Sequence, residues 1–141
     1  MKHCYKYPRP AVTVDIIIFD KKKESILLIE RKNEPFVGQW ALPGGFVDKN
    51  ESLENAARRE LKEETALDIK NLEQFRSFGD PGRDPRGHTV SVVFWGVCNE
   101  KGNNEKAGDD AAFLQWFGIN ELPELAFDHE LIIDTALSIL V

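Results

Sequence analysis

The segment from Gly44 to Leu67, GGFVDKNESLENAARRELKEETAL, constrains the fold of this chain more than any other part of the sequence. Its second half, Ser52 to Thr65, is rich in Ala, Leu, Glu, Lys and Arg and predicts a helix. A turn of about 100° per residue gathers several of its side chains into one narrow stripe. The stripe contains Leu53, Ala57, Glu60 and Glu64, with Glu63 one ridge away. It begins apolar, as a stripe facing a core should, and ends in carboxylates.

The acidic end of this stripe indicates a metal site. Carboxylates are rare on the face of a helix that enters a protein. Two of them about 5 Å apart repel each other by about 3 kcal/mol at an effective dielectric constant of about 20. A hard divalent cation such as Mg²⁺ or Mn²⁺ would offset that repulsion. The alternative is a solvated helix with surface ion pairs, which composition alone favours. A Pro-Gly-Gly turn predicted at Pro43 to Gly45 and the inward direction of the stripe favour the metal.

The same residues resemble the signature of the Nudix hydrolase family, G-x5-E-x7-R-E-U-x-E-E-x-G-U, where U is a bulky aliphatic residue. Eight of the nine specified positions match within residues 45–67, namely Gly45, Glu51, Arg59, Glu60, Leu61, Glu63, Glu64 and Leu67. The departure is Ala66, where the pattern has Gly, and alanine there is strained if its φ is positive. A match of this length is far more specific than a short glycine motif.

The resemblance implies an α/β fold, a Nudix-type α/β/α sandwich with a central mixed β-sheet, formed by residues 1–141 as one domain. It also implies hydrolysis of a nucleoside diphosphate linked to another moiety, with Mg²⁺ or Mn²⁺ as cofactor. The implied metal ligands are Glu60 and Glu64, Glu63 directly or through water, and the backbone carbonyl of Gly44. Arg59 would orient the glutamates, and Glu51 would fix the preceding loop against the helix.

The general base of the family often lies on a loop just before a strand that contains Trp. The corresponding loop here is KAGDDAAFLQW, and Asp110 stands six residues before Trp116. The resemblance therefore makes Asp110 the candidate base, with Asp109 and Glu105 as alternates. A solvated loop carboxylate is an equally good interpretation of Asp110, because acidic residues are common in loops.

Two further segments, FGDPGRDPRGHTVSV and LPELAFDHELI, resemble the ADP-ribose pyrophosphatase branch of the family. The implied substrate is ADP-ribose, cleaved to AMP and ribose 5-phosphate. The alternatives are an oxidised nucleoside triphosphate, a dinucleoside polyphosphate, or a module that senses ADP-ribose without cleaving it. A sensor of the repressor type would need a DNA-binding extension such as a winged helix, which we do not expect in these 141 residues.

Several side chains are candidates for substrate contacts. Guanidinium groups suit phosphates and ribose hydroxyls, and Arg31, Arg83 and Arg86 are the candidates. Phe36 and Trp40 are candidates for stacking on adenine, although Trp40 fits a core position equally well.

The remaining sequence predicts a mixed sheet covered by helices. The predicted strands are Ala11–Phe19 with its hairpin partner Ile26–Arg31, then Ile69–Phe78, His88–Cys98 and Phe113–Phe117. A closing helix is predicted over Asp128–Leu140, with the apolar stripe Leu131, Ile132, Ala136, Ile139 and Leu140. We expect His129 to cap or pack this helix.

Composition limits the partners and the compartment. The chain has 18 basic and 24 acidic residues, a net charge of −6, which gives no general electrostatic reason to bind nucleic acid or an anionic membrane. Two cysteines make neither a disulfide framework nor a zinc cluster and suit a reducing compartment. With no apolar stretch able to span a bilayer, we expect a cytoplasmic protein. The related pyrophosphatases are commonly homodimers, and the apolar N-terminal strand is a candidate interface.

Overall fold

The computed structural model describes residues 4–101, 105–108 and 111–141, except for the side chains of residues 111 and 112. Within these residues the strands belong to one seven-stranded mixed sheet. They are β1 (Ala11–Asp20), β2 (Ser25–Arg31), β3 (Trp40–Ala41), β4 (Gly44–Phe46), β5 (Glu73–Phe78), β6 (Thr89–Cys98) and β7 (Ala111–Gly118). The helices are α1 (Leu53–Thr65) and α2 (His129–Leu140).

Strand β1 lies at the centre of the sheet. It pairs in parallel with β6 along its whole length, from Ala11 opposite Thr89 to Asp20 opposite Cys98. On its other side it pairs antiparallel with β2 and with β4, and β2 carries β3 and β7. The run of β-branched and aromatic residues in β1 suits this position, because a central strand is covered on both faces.

The two helices cover opposite faces of the sheet. Ile16 and Ile18 pack in one core cluster with Ala57 of α1, whereas Ile17 and Phe19 pack in a second cluster with residues of α2. This division follows from the period of two residues along a strand. The α/β/α sandwich predicted from the sequence is therefore confirmed.

The prediction of a Pro-Gly-Gly turn was wrong, because its two glycines belong to strand β4. Gly44 and Gly45 pair with Asp15 and Val14 of β1 instead of reversing the chain. A Cβ atom on Gly44 would lie 2.1 Å from the carbonyl oxygen of Val14. The first glycine is thus required for close approach of two backbones, not for a turn conformation.

The other predicted elements hold with smaller corrections. Strand β5 begins at Glu73, so residues 69–72 lie outside it. In α2, Leu131 and Ile139 of the predicted stripe are each 55% exposed, whereas Ile133 is fully buried. Counted from His129, the helix positions i, i+3, i+4 and i+7 face the sheet. Ile133 occupies one of these positions and is buried, whereas Leu131 does not and lies in solvent.

The burial of β1 also bears on the dimer interface expected at the N-terminal strand. Residues 13–19 are buried inside the sandwich, and only Ala11 and Val12 of this strand are exposed. Most of β1 is therefore buried inside the protein, and the interface expected at this strand stays a prediction. None of the described helices is long and apolar enough to cross a bilayer.

Both ends of α1 are anchored by specific hydrogen bonds. At the first turn, the Oγ of Ser52 accepts a bond from the backbone N–H of Asn55 at 3.1 Å. At the last turn, the backbone N–H groups of Lys106 and Gly108 donate to the carbonyls of Thr65 (2.6 Å) and Glu64 (3.0 Å). The helix ends at Ala66, whose φ of 66° is left-handed, the conformation that glycine adopts at this position in the family signature.

We predict that Ala66→Gly stabilises the protein. The substitution removes the clash of a Cβ atom in left-handed backbone, worth about 1 kcal/mol after the entropy cost of glycine. For a domain of this size that corresponds to a rise of roughly 3–5 °C in Tm, measured by thermal unfolding. Lys62→Gly, at an exposed position inside the same helix, is the matched control and should lower the Tm. A lower Tm in both variants would contradict the prediction.

Candidate functional site

A cleft of about 410 Å³ opens between α1, the sheet and the segment before α2. One wall carries Glu60 and Glu64 of α1 with the glycines of β4. A basic wall carries Arg31 from β2 and Arg86 from the loop between β5 and β6. The volume of the cleft is within the range of small-molecule sites, and its lining contains both acidic and basic side chains.

The two glutamates are largely withdrawn from water. The side chain of Glu60 is 12% exposed, and Glu64 is 7% exposed. Burial raises the pKa of Glu60 above its ordinary value, although the guanidinium of Arg59 opposes the change. The sequence stripe is therefore realised as an acidic wall inside the cleft, not as a solvated helix face.

The glycines of β4 let the acidic groups lie directly against the backbone. A Cβ atom on Gly45 would be 2.5 Å from the carboxyl carbon of Glu60, and one on Gly44 would be 2.6 Å from Oδ1 of Asp15. No side chain fits at either position while these carboxylates stay in place. Backbone and carboxylate oxygens are thus concentrated at one end of the cleft.

Arg59 organises the acidic wall from behind. Its Nε and Nη2 donate to both oxygens of Glu51 at 2.6 and 2.9 Å, and its Nη1 donates to Glu60 at 2.8 Å. Nη2 also donates to the carbonyl of Phe46 at 3.1 Å. Glu51 in turn accepts from the backbone N–H of Asp48 at 3.0 Å. One guanidinium therefore joins the loop before α1, strand β4 and the acidic surface of α1.

Glu63 differs from the other acidic residues of the motif. Its side chain is 58% exposed, its contact to Arg59 is 3.3 Å long, and it does not line the cleft. The structure thus brings Glu60, Glu64 and Gly44 together and leaves Glu63 at the edge.

The donor set in the cleft fits a hard divalent ion. Within the described part of the chain, no three His, Cys, Asp or Glu side chains are grouped as a complete metal site. Two carboxylates and a backbone carbonyl nevertheless suit Mg²⁺, which usually takes one or two carboxylates and fills its other positions with water and phosphate oxygens. The residues present therefore fit a metal held jointly by protein and substrate.

Arg31 and Arg86 form the basic wall around one aromatic ring. The guanidinium of Arg31 lies 5.0 Å from the ring centre of Phe127, and that of Arg86 lies 5.3 Å from the same ring and 4.9 Å from Phe46. Arg86 is paired with Asp84 at 2.8 Å. Arg31 bonds to the carbonyl of Pro35 at 2.6 Å and makes no ion pair with any described residue.

The electrostatics of this wall suit an anion. Burial lowers the pKa of Arg31, and the nearby charge of Arg86 adds to that effect. Two cations at one ring repel each other, so a phosphate between them would relieve the repulsion. Aromatic faces beside these cations suit a nucleobase or a ribose.

Arg83 lines the cleft, and its guanidinium is bound within the protein. Its Nε and Nη2 donate to the two oxygens of Asp128 at 2.8 and 2.7 Å, and its side chain is 7% exposed. Asp128 precedes α2 but makes no side-chain capping bond, because its carboxylate is bound to Arg83. The guanidinium therefore ties the loop that carries Arg86 to α2, and the contact of Arg83 with substrate stays a prediction.

The predicted aromatic contacts also change. Trp40 packs on Phe117 at 4.9 Å in the core beneath α2, as its alternative interpretation holds. Phe36 supports the ring of Phe127 from its edge at 4.9 Å without lining the cleft itself. The aromatic residues that do line the cleft are Phe46 and Phe127, which sequence reasoning missed. Phe127 stands within the LPELAFDHELI segment, so that segment contained the signal.

A buried histidine completes the floor of the cleft. The Nδ1 of His129 accepts the backbone N–H of Leu42 at 3.0 Å, and its Nε2 lies 3.6 Å from Oδ1 of Asp15. The hydroxyl of Ser91 donates to the other oxygen of Asp15. Burial lowers the pKa of His129, so the ring is neutral near pH 7. His129 packs α2 as expected, but its contacts with β1 and with Leu42 were not predicted.

Glu105 is the one candidate base that lies among the described residues. Asp110 and Asp109 lie outside the described residues. Glu105 accepts a bond from the indole N–H of Trp116 at 2.9 Å and lines a different pocket with Leu27 and Phe113.

Comparison with known proteins identifies the family. The NUDIX domain matches residues 9–136, and the chain belongs to the Nudix family. This confirms the resemblance seen in the signature residues.

Particular proteins are similar to this chain. An ADP-ribose pyrophosphatase of Methanocaldococcus jannaschii is 52% identical over 127 residues, which are 90% of this chain and 73% of that protein. The ADPR responsive transcriptional repressor NtrR of Acinetobacter baylyi is 40% identical over 129 residues. The matched region covers 87% of this chain and 51% of the repressor. The NUDIX domain of Shewanella oneidensis NrtR, crystallised with ADP ribose, matches with a TM-score of 0.84 and 31% identity over 96% of this chain and 91% of that one.

The Arg59–Glu51 pair predicts a measurable acid dependence of stability. Hydrogen bonds from Arg59 lower the pKa of Glu51 from 4.5 to about 2. A lowered folded pKa stabilises the protein above the unfolded value, and this contribution is lost as the pH falls from about 4.5 toward 2. In Glu51→Gln the urea midpoint should therefore fall less steeply over that window than in the wild type. Glu73→Gln removes an exposed charge on β5 and should keep the wild-type slope. Equal slopes in wild type and Glu51→Gln would contradict the assignment.

Proposed function

We propose that this protein is a divalent-metal-dependent Nudix pyrophosphohydrolase that cleaves ADP-ribose to AMP and ribose 5-phosphate. The observation that carries the proposal is the cleft that Glu60 and Glu64, both largely withdrawn from water, line together with Arg31 and Arg86. The archaeal ADP-ribose pyrophosphatase at 52% identity supports the substrate, as does the ADP ribose bound to the Shewanella domain. The reaction breaks one P–O bond of the diphosphate bridge, with water supplying the new oxygen.

The protein's own residues divide the work of this reaction. Glu60 and Glu64, with the carbonyl of Gly44, would bind the ion, Arg59 would hold Glu60 in orientation, and Glu63 would contribute through water. A bound Mg²⁺ or Mn²⁺ neutralises the diphosphate and lowers the pKa of the attacking water. We propose Asp110 as the group that takes the proton from this water, with Asp109 and Glu105 as alternates.

The basic wall would hold the substrate. Arg31 has an unpaired charge among the described groups, so phosphate oxygens are suitable partners for its guanidinium. Arg86 is already paired with Asp84 and stacked between Phe46 and Phe127, so it would add charge and a flat surface. Adenine or ribose would lie against these two phenylalanines, with Arg83 in the same lining and Phe36 supporting Phe127 from outside the cleft.

A sensor of ADP-ribose is the second candidate function. The repressor relative at 40% identity favours it, because a Nudix domain of similar sequence occurs in a protein that responds to ADPR. The two candidates bind the same molecule and differ in whether the bond breaks.

We also propose a cytoplasmic location. Cys4 and Cys98 are free thiols, which suit a reducing compartment. The homodimer implied by the related pyrophosphatases stays a prediction, and analytical ultracentrifugation would test it.

A substrate panel tests the function. We expect the purified protein with Mg²⁺, or separately with Mn²⁺, to release AMP and ribose 5-phosphate from ADP-ribose faster than it cleaves nucleoside triphosphates or dinucleoside polyphosphates. Products are separated by ion-exchange chromatography, and calorimetry measures binding of ADP-ribose in parallel. Binding with no product under either metal would support the sensor and overturn the hydrolase.

The role of the acidic wall is tested by Glu64→Gln. The amide keeps the size of the side chain but removes a negative charge from the metal site, so turnover should fall by about 100-fold or more. Circular dichroism and thermal unfolding should show an intact fold. Glu54→Gln is the matched control, because Glu54 is exposed in the first turn of the same helix and should keep wild-type turnover. Normal turnover in Glu64→Gln would contradict the proposed role.

A further inference from the structure

We propose that His129 is a positioning residue for the metal site: its neutral ring fixes the backbone of Leu42 and Pro43 so that Gly44 faces the glutamates of α1. The inference rests on the proposed function, because it concerns the carbonyl that would bind the ion. His129 itself is buried, with 4% of its surface exposed, and does not belong to the family signature at residues 45–67.

The geometry settles which nitrogen of the ring carries the proton. A backbone amide can only donate, so the 3.0 Å contact from the N–H of Leu42 makes Nδ1 an acceptor. The proton of the neutral ring is therefore on Nε2. That atom faces Oδ1 of Asp15 at 3.6 Å, where a carboxylate favours this tautomer.

The three residues 42–44 are held from two sides. The N–H of Leu42 is bound by His129 of α2, and the carbonyl of Pro43 accepts the N–H of Ile16 at 2.9 Å. Gly44 then pairs with Asp15 of β1. Pro43 has no N–H to donate, so the bond at Leu42 is the anchor on the α2 side immediately before the glycine.

Asp15 links the same histidine to Gly44 by a second route. Its Oδ1 lies within van der Waals distance of the Gly44 backbone, since a Cβ built there would be only 2.6 Å away. Its other oxygen is held by the hydroxyl of Ser91 on β6. The ring of His129 thus contacts both the chain that leads into Gly44 and the carboxylate that packs on it.

A histidine at this position accepts a hydrogen bond that an apolar residue of α2 could not accept. Without Nδ1, the N–H of Leu42 would be a buried donor with no partner, and the chain would shift to satisfy it. A shift at Leu42 is transmitted to Gly44 two residues later. Groups that orient metal ligands in this way typically change metal affinity by about 10- to 100-fold when they are lost.

A pair of isosteric variants tests the inference. In His129→Asn the amide oxygen takes the place of Nδ1 and can still accept from Leu42, whereas in His129→Gln the polar group reaches the place of Nε2 and leaves Leu42 without its acceptor. Titration calorimetry with Mn²⁺ alone measures affinity without any turnover. We expect His129→Gln to bind Mn²⁺ about 10-fold more weakly than the wild type and His129→Asn to stay within about threefold.

The comparison separates positioning from mere stability. Both variants lose the ring from the core, so a purely structural role would lower their Tm and their affinity together, without the difference between Asn and Gln. Equal Mn²⁺ affinity in wild type and His129→Gln would overturn the inference and leave the proposed hydrolase intact. A wild-type protein that binds Mn²⁺ neither alone nor with ADP-ribose present would overturn both.

A measurement on the wild type covers the case in which a variant does not fold. Saturating Mg²⁺ should shift the amide resonance of Leu42 and the Nδ1 resonance of His129 in a nitrogen NMR spectrum, because both report on the strand that leads to the ion. Unchanged resonances for both groups at saturation would overturn the inference.

Discussion

Two carboxylates kept out of water on one wall of a cleft are the constraint on which the rest of this structure depends. Glu60 can approach the backbone of β4 only because Gly45 has no side chain, and Arg59 is the charge that holds it there. An acidic wall of this kind is unfavourable until a cation reaches it. Electrostatic repulsion at the site therefore destabilises the folded protein, and ligand binding relieves that repulsion.

The basic wall of the cleft is arranged around three consecutive residues at the start of α2. Phe127 contacts two guanidinium groups, Asp128 binds Arg83, and His129, the first residue of α2, binds Leu42. These residues thus connect the loop of Arg86, the basic wall and the segment that leads to Gly44. The partners of these three residues are far apart in the sequence, and the start of one helix contacts all of them.

The local parts of the site could be predicted from the sequence, and the parts that depend on tertiary pairing could not. The stripe of Glu60 and Glu64 follows from helical periodicity, and it is found in the cleft. Strand β4 at Gly44 was mistaken for a turn, because glycine is needed there for the close approach of β1 and the local sequence does not show that approach. The contacts of Arg83 and His129 depend on partners 45 and 87 residues away, and no local pattern indicates them.

The parallel pairing of β1 with β6 has a consequence for how the chain is made. Its ten matched positions join residues such as Ala11 and Thr89, so the central pair is entirely non-local. During synthesis β1 has only its antiparallel partners β2 and β4 beside it until the ribosome has released the chain as far as Cys98. Its apolar edge is open for that interval, when unpaired strands associate most readily with other chains. Chaperone dependence of the nascent protein should therefore end when β6 emerges.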